Sequence, residues 1–214
     1  MVEIAHDEGD VEIGAPMTNL TVPVQGPSLR PLDRIFRAWR IRKIAGYVRS
    51  GSRVCDIGCG DGSLFNTYSD RIVRGVGLDP TLVRSSTGDR FRFIAGPFPS
   101  AARAIDERFD LITALAVLEH VEADELPSWT SEFERLLQPG GFLVATVPSP
   151  AVDGILGVLA RLRLIAGMSL HEHHGFETSR LPSLLSSEHI RLAAHERFEL
   201  GLNNLFVFKK DGDS

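Results

Sequence analysis

The run Val54-Cys55-Asp56-Ile57-Gly58-Cys59-Gly60-Asp61-Gly62-Ser63 is the most informative in the chain. Its opening, with Arg53, is a short, mostly apolar stretch, the pattern of a strand buried in a parallel sheet. Three glycines then stand at alternate positions. They let the backbone turn sharply and let a ligand approach with no Cβ in the way. Gly62 to Tyr68 fits the first turns of a helix, whose start offers N–H groups to a negative charge. A strand that turns through glycines into a helix sits where open parallel sheets bind ligands, outside the carboxyl ends of the strands.

Around this turn, strands and helices alternate. Upstream, Pro31 to Arg49 repeats apolar residues at helical steps (Ile35, Phe36, Trp39, Ile41, Ile44, Tyr47, Val48) and stops at Ser50-Gly51. Downstream, strands are expected at Arg74–Leu78, Phe91–Ile94, Phe109–Ala114 and Phe142–Val147. Helices are expected at Ala101–Glu107 and Leu126–Leu137, the second stopped by Pro139-Gly140-Gly141. After Pro148 come an apolar helical stretch, Ala151–Ala166, a His-rich loop and a short helix near Thr178–Ser187. Two last strands, Leu192–Leu200 and Leu205–Lys209, flank a hairpin-type turn at Gly201-Leu202-Asn203-Asn204. The alternation specifies an α/β fold, a mostly parallel sheet with helices on both faces, closed by an antiparallel pair. Residues 1–28 read as a polar, flexible arm and 29–214 as one domain, in which about 151–190 form an insertion.

Asp79 ends the second strand, 19 residues after Gly60. An acid there can accept hydrogen bonds from both hydroxyls of a ribose. The ligand is therefore adenosine-like before it is anything more specific. A nicotinamide fold wants a small residue closing G-x-G-x-x-G/A, and that position holds Ser63, an imperfect fit. Asp56, two residues before the first glycine, is placed to meet a cation such as an amino acid's ammonium.

Val54 to Gly62 resembles the first motif of class I S-adenosylmethionine-dependent methyltransferases, and Asp79 resembles their ribose-binding acid. Phe109-Asp110-Leu111-Ile112 with Leu118-Glu119-His120-Val121 resembles their fourth-strand motif, and Leu136 to Leu143 their fifth-strand entry. Taken together, residues 50–150 are most similar to small-molecule methyltransferases of the quinone-biosynthesis kind. The resemblance implies a Rossmann-like sheet of seven strands in the order 3-2-1-4-5-7-6, the seventh antiparallel. It implies S-adenosyl-L-methionine as cofactor, held by Asp56, Gly58, Cys59, Gly60, Gly62, Asp79, Pro80, Gly96, Phe98, Ala114 and Leu115. One departure stands out. The family often has Gly-Asp after its third strand, and this chain has Gly96-Pro97, which offers neither a carboxylate nor an N–H; the N–H of Phe98 remains available for adenine.

Methyl transfer from a sulfonium needs alignment more than chemistry, with a base for an oxygen or nitrogen acceptor. His120, after the fourth strand, is the candidate base, and packing at the strand exit is its bland alternative. His171, His173 and His174 are candidates for the acceptor pocket; their spacing matches no zinc pattern, so no metal is expected. Ala151–Ala166 is more apolar than one helix face needs. It reads as core, a homodimer contact, a lid over an apolar acceptor, or a helix at a membrane surface. Trp39 and Tyr47 either close the cofactor pocket or belong to the core.

Net charge is −5, and the basic cluster on the first helix (Arg34, Arg37, Arg40, Arg42, Lys43) reads as a solvated face, so no nucleic-acid partner is expected. No N/D-P-P-aromatic motif follows the fourth strand, where Ala114-Leu115-Ala116 stands. Cys55 and Cys59 make no disulfide framework, and the acidic start has no signal-peptide pattern, which together point to the cytoplasm. Ala151 to Met168 carries Asp153, Arg161 and Arg163, too much charge for a membrane span. Two alternatives to an enzyme acting on a small-molecule acceptor stay open: a non-catalytic binding subunit and a nicotinamide-dependent oxidoreductase.

Overall fold

The computed structural model describes residues 22–25, 31–149 and 178–212. The strands are β1 (Ser52–Ile57), β2 (Ile72–Asp79), β3 (Ser86–Thr87), β4 (Phe91–Ala95), β5 (Phe109–Leu115), β6 (Leu137–Pro148), β7 (Ile190–Phe198) and β8 (Asn203–Lys210). They form one sheet in the order β3-β4-β2-β1-β5-β6-β8-β7. Without the two-residue β3, this is the expected seven-strand order. Strand β8 runs antiparallel to both neighbours, so β7 at the edge points the same way as the parallel strands. The addition, β3, pairs antiparallel with β4 and was not visible as a strand in Ser86-Thr87.

Alternation along the strands divides the core into two layers. Val54, Leu111 and Val144 face α1 (Pro31–Lys43) and α2 (Ser63–Thr67), packing with Ile41, Ile44, Leu64 and Phe65. Cys55, Ile112, Ala114, Leu143 and Ala145 face the other way, against Trp129, Phe133 and Leu136 of α3 (Leu126–Leu136) and Leu181 and Leu185 of α4 (Leu181–Leu185). Helices thus cover both faces. Phe98 stacks on Phe133 at 5.1 Å and meets Trp129 edge-on at 4.7 Å.

Several elements differ from expectation, and the helix expected at Ala101–Glu107 is a 3-10 turn over Ser100–Ala104. Helix α1 ends at Lys43, and Ile44 to Tyr47 continue as turns. Pro139-Gly140-Gly141 does not precede β6 but lies within it, at a register irregularity opposite Phe109–Leu111. A Cβ on Gly141 would stand 2.9 Å from the Gln138 carbonyl oxygen and 3.1 Å from that of Phe109. Glycine therefore lets the bulged strand close on β5. The last turn is Glu199–Gly201 rather than Gly201–Asn204; Asn203 and Asn204 are the buried first residues of β8.

Part of the amino-terminal arm is laid on the domain. Val22 is buried, Val24 bridges to Leu82, and Gln25 N–H donates to the Thr81 carbonyl at 2.7 Å. The apolar helical stretch at 151–166 and the His-rich loop lie outside the described residues. Among the described residues, no helix is long and apolar enough to cross a membrane.

Candidate active site

The glycine turn leaves β1 with Gly58, Gly60 and Gly62 all at positive φ (73°, 51° and 77°), which glycine adopts without a Cβ penalty. A Cβ on Gly58 would lie 2.4 Å from Val117 Cγ2, and one on Gly62 would lie 3.1 Å from the Phe93 ring. Helix α2 is a single turn and adds little dipole field; what the turn offers is bare backbone. Asp61 fastens it, accepting from Ser63 N–H at 3.1 Å and Ser63 Oγ at 2.5 Å.

Asp79, at the end of β2 and only 7% exposed, is tied to this turn. Its Oδ2 accepts the Gly60 N–H at 2.8 Å, and its Oδ1 accepts Thr81 N–H at 2.8 Å and Thr81 Oγ1 at 2.6 Å. Asp56 lies inside β1, buried, its Oδ1 receiving Thr113 Oγ1 at 2.6 Å. Burial pushes its carboxyl up to about 7; the Thr113 bond and Arg37 oppose the rise, and the Asp79 charge adds to it. The two acids and the glycine backbone therefore share the carboxyl end of β1 and β2.

Neighbouring expected residues have varied surroundings. Pro80 is exposed beside Asp79, and Gly96 N–H donates to the Asp79 carbonyl at 3.2 Å. Phe98 is buried, with its ring in the α3 layer. Cys59 is buried, with its sulfur pressed against Gly77, and burial raises the thiols of Cys59 and Cys55 well above the ordinary range. Ala114 and Leu115 close β5, next to Ala116 at φ 57°. Asp110, part of the fourth-strand motif, lies at the opposite end of the sheet, where it accepts Arg53 N–H at 2.7 Å and Gln138 Nε2 at 2.8 Å.

After β5 a 3-10 turn, Leu118–His120, carries two polar residues in opposite settings. His120 is exposed. Glu119 is 7% exposed, and burial pushes its carboxyl up to about 7 against the pull of Arg40. His171, His173 and His174 lie outside the described residues. Tyr47 packs on Phe142 at 5.9 Å, as a core residue. Trp39 instead lines an open groove of about 550 Å³ with Arg42, Lys43, Phe198, Glu199 and Leu200.

The sequence reading missed Arg37, Arg40, Thr113 and Glu119. Arg37 reaches from α1 to Asp61, Nη2 to Oδ2 at 2.8 Å, and its Nη1 would stand 3.5 Å from a Cβ on Gly60. Its spacing of three from Arg40 puts both on one side of α1, a signal that was available but read as a solvated face.

A family model described as a methyltransferase domain matches residues 32–203. A ubiquinone biosynthesis O-methyltransferase of Rhodopseudomonas palustris is 31% identical over 105 residues, covering 46% of this chain and 41% of that protein. The Vibrio cholerae protein of the same name is 28% identical over 137 residues, covering 59% of this chain and 55% of its own. The chain thus spans about half the length of these relatives. The fold matches magnesium protoporphyrin IX methyltransferase from Synechocystis, solved with S-adenosylhomocysteine, at a TM-score of 0.58 and 16% identity over 87% of this chain and 90% of that one. It also matches a Burkholderia thailandensis 1,6-didemethyltoxoflavin-N1-methyltransferase at 0.57 and 18%, over 90% of this chain and 95% of that one. With the family model spanning most of the sequence and the glycine turn and buried acids inside the match, this chain belongs to the methyltransferase-domain family.

Proposed function

We propose that the protein transfers a methyl group from S-adenosyl-L-methionine to an oxygen, nitrogen or carbon of a small-molecule acceptor, in the cytoplasm. The observation that carries the reading is the Gly60 N–H to Asp79 bond of 2.8 Å, which joins a Cβ-free turn to a buried carboxylate at the carboxyl edge of the sheet. The residues present fit the cofactor, because the turn is bare backbone at Gly60, where only Arg37 Nη1, at 3.5 Å, comes near the place of a Cβ, and the buried Asp79 carboxylate stands beside it. Asp79 would receive the ribose hydroxyls, with Pro80 beside the adenine and the Phe98 N–H toward it. Gly58, Cys59, Gly60 and Gly62, with Gly96, Ala114 and Leu115, would form the walls. Asp56 would face the ammonium and Arg37 the carboxylate of the methionyl end. Bound there, the cofactor supplies an activated methyl group on a positive sulfur.

The chain's own work is to align the acceptor and exclude water, and positioning of this kind accounts for roughly 7–11 kcal/mol of a barrier. His120, exposed beside buried Glu119, would take a proton from an oxygen or nitrogen acceptor and pass it to solvent. His171, His173 and His174 are assigned to the acceptor pocket by their place after β6. Calorimetry with S-adenosylhomocysteine and with NAD tests the cofactor assignment. Heat with the first and none with the second is expected; the reverse would return the fold to oxidoreductase chemistry. Binding without methylated product across a broad acceptor panel would favour a non-catalytic subunit.

A further inference from the structure

Among the described residues, four buried side-chain atoms make no hydrogen bond: Arg40 Nε, Glu119 Oε2, Glu199 Oε1 and Asn203 Oδ1. Orphaned buried polar atoms are rare in folded proteins, and each calls for a water, an ion or a ligand. These four come from α1, the turn after β5 and the bend entering β8, yet they form one neighbourhood. Both carboxylates act on the Arg40 charge, and Asn203 Nδ2 donates to the other oxygen of Glu199. Glu119 and Asn203 are 7% and 6% exposed.

The cluster lies at the carboxyl edge of the sheet, next to the glycine turn. Val117, two residues before Glu119, fills the hollow over Gly58, and Asn203 pairs with Pro148 at the carboxyl end of β6. With both carboxyls ionised, three of the four atoms are hydrogen-bond acceptors and one is a donor. A guest must therefore mainly donate. A divalent cation would share the space with the Arg40 guanidinium, which repels it, and a purely apolar guest would leave all four atoms unpaired.

We propose that this cluster seats a hydroxyl- or amino-bearing end of the methyl acceptor, with Glu119 as the buried group that receives its hydrogen bond. The proposal rests on the methyltransferase reading and narrows its substrate class to acceptors that carry O–H or N–H donors. Glu119 acts here as a binding residue, apart from the proton transfer assigned to His120.

The test uses the full chain saturated with S-adenosylhomocysteine and three probes of one shape: catechol, 2-aminophenol and 1,2-dimethoxybenzene, which keeps the ring and has no donor. Catechol or 2-aminophenol should bind about tenfold more tightly than the dimethoxy compound, the scale of a lost charge-assisted bond. Glu119→Met should reduce that preference to about twofold or less, and Glu119→Gln, which keeps one acceptor oxygen, should retain part of it. The heat of S-adenosylhomocysteine should be unchanged in both variants. Equal binding of the three probes, or a preference that survives Glu119→Met, overturns the proposal. So does tight Mg²⁺ binding that Glu119→Met abolishes. Failure of the broader reading is a separate result, an absent heat for S-adenosylhomocysteine itself.

Discussion

The two sides of the sheet's carboxyl edge are assembled by different means. On the cofactor side, a strand, a turn and one acid 19 residues downstream make the grip, and Asp79 bonds directly to the turn at Gly60. On the side proposed to seat the acceptor, Arg40, Glu119, Glu199 and Asn203 arrive from three distant stretches of chain and leave polar atoms unpaired. The first arrangement is preorganised, with Gly60 and Thr81 fixing the Asp79 carboxylate in place while it keeps acceptor capacity for a ligand. The second leaves four buried polar atoms for the proposed guest to satisfy. A motif carried by local backbone can be preorganised cheaply, whereas a site drawn from several elements takes its chemistry from whatever it must satisfy.

The sharpest way to break this comparison is Asp79→Ala. If Asp79 receives two charge-assisted ribose bonds, its loss should weaken S-adenosylhomocysteine by about 100-fold or more, since such bonds contribute roughly 1.5–3 kcal/mol each. Calorimetry reads the change directly. An equal loss on Glu119→Met would mean that the two sides are one site, and the contrast drawn above would fail.

Glycine substitutions sharpen it further. Gly58→Ala combines a positive φ of 73° with a contact of 2.4 Å to Val117. Left-handed strain and overpacking together should destabilise the fold by about 2–3 kcal/mol, and cofactor affinity should fall with it. Gly75→Ala meets the rings of Phe65 and Phe91 at 2.6 and 2.7 Å with no unusual φ, far from the turn. It should cost about 1–3 kcal/mol of stability by overpacking alone and leave the cofactor affinity of the folded fraction intact. Denaturant melts paired with calorimetry separate the two effects.

This asymmetry also sets what the sequence made legible. The alternation of strands and helices, the closing antiparallel pair and the glycine turn with its downstream acid are legible in local patterns, whereas the strand order came with the family resemblance and not from any spacing. Helix and strand ends were misplaced where tertiary contacts override local chemistry. Pro139-Gly140-Gly141 reads as a stop, yet β6 begins at Leu137 because β5 pairs with it through a bulge. Leu200 and Glu199 adopt positive φ, 58° and 52°, which no residue type there foretells. Glu119 reads only as part of the motif after the fourth strand; its burial beside Arg40 of α1 brings together residues 79 positions apart, and no spacing rule encodes that meeting.

Stability against pH separates the sides again. Glu119 titrates near 7 in the fold against an ordinary 4.5, so the folded state holds more protons than the unfolded one between those values. Its contribution is therefore lost as pH rises from about 4.5 to about 7 and stays lost above. Glu119→Gln removes that decline. At pH 8 the variant should be more stable than the parent by on the order of 1–3 kcal/mol, and at pH 4.5 the two should melt together. A Gln variant less stable at both pH values would show that the carboxylate is already compensated by Arg40.

Asp56 gives the smallest expected effect and the most specific one. Its carboxyl, raised to about 7 by burial, is largely protonated at mildly acid pH. An ammonium seated beside it favours the ionised form, so binding there releases a proton. Affinity for S-adenosylhomocysteine should then rise by about tenfold between pH 5.5 and 8, one unit of carboxyl shift being about 1.4 kcal/mol. Asp79 and Arg37 act on Asp56 as well, so the slope alone does not assign the group. Two variants do. Asp56→Asn should flatten the profile, and Thr113→Val, which deletes the 2.6 Å bond to the ionised form, should move the rise to higher pH without flattening it. A profile that keeps its slope and midpoint in both variants would place the ammonium elsewhere, and Asp56 would then be a buried acid that serves the fold of β1 and β5 alone.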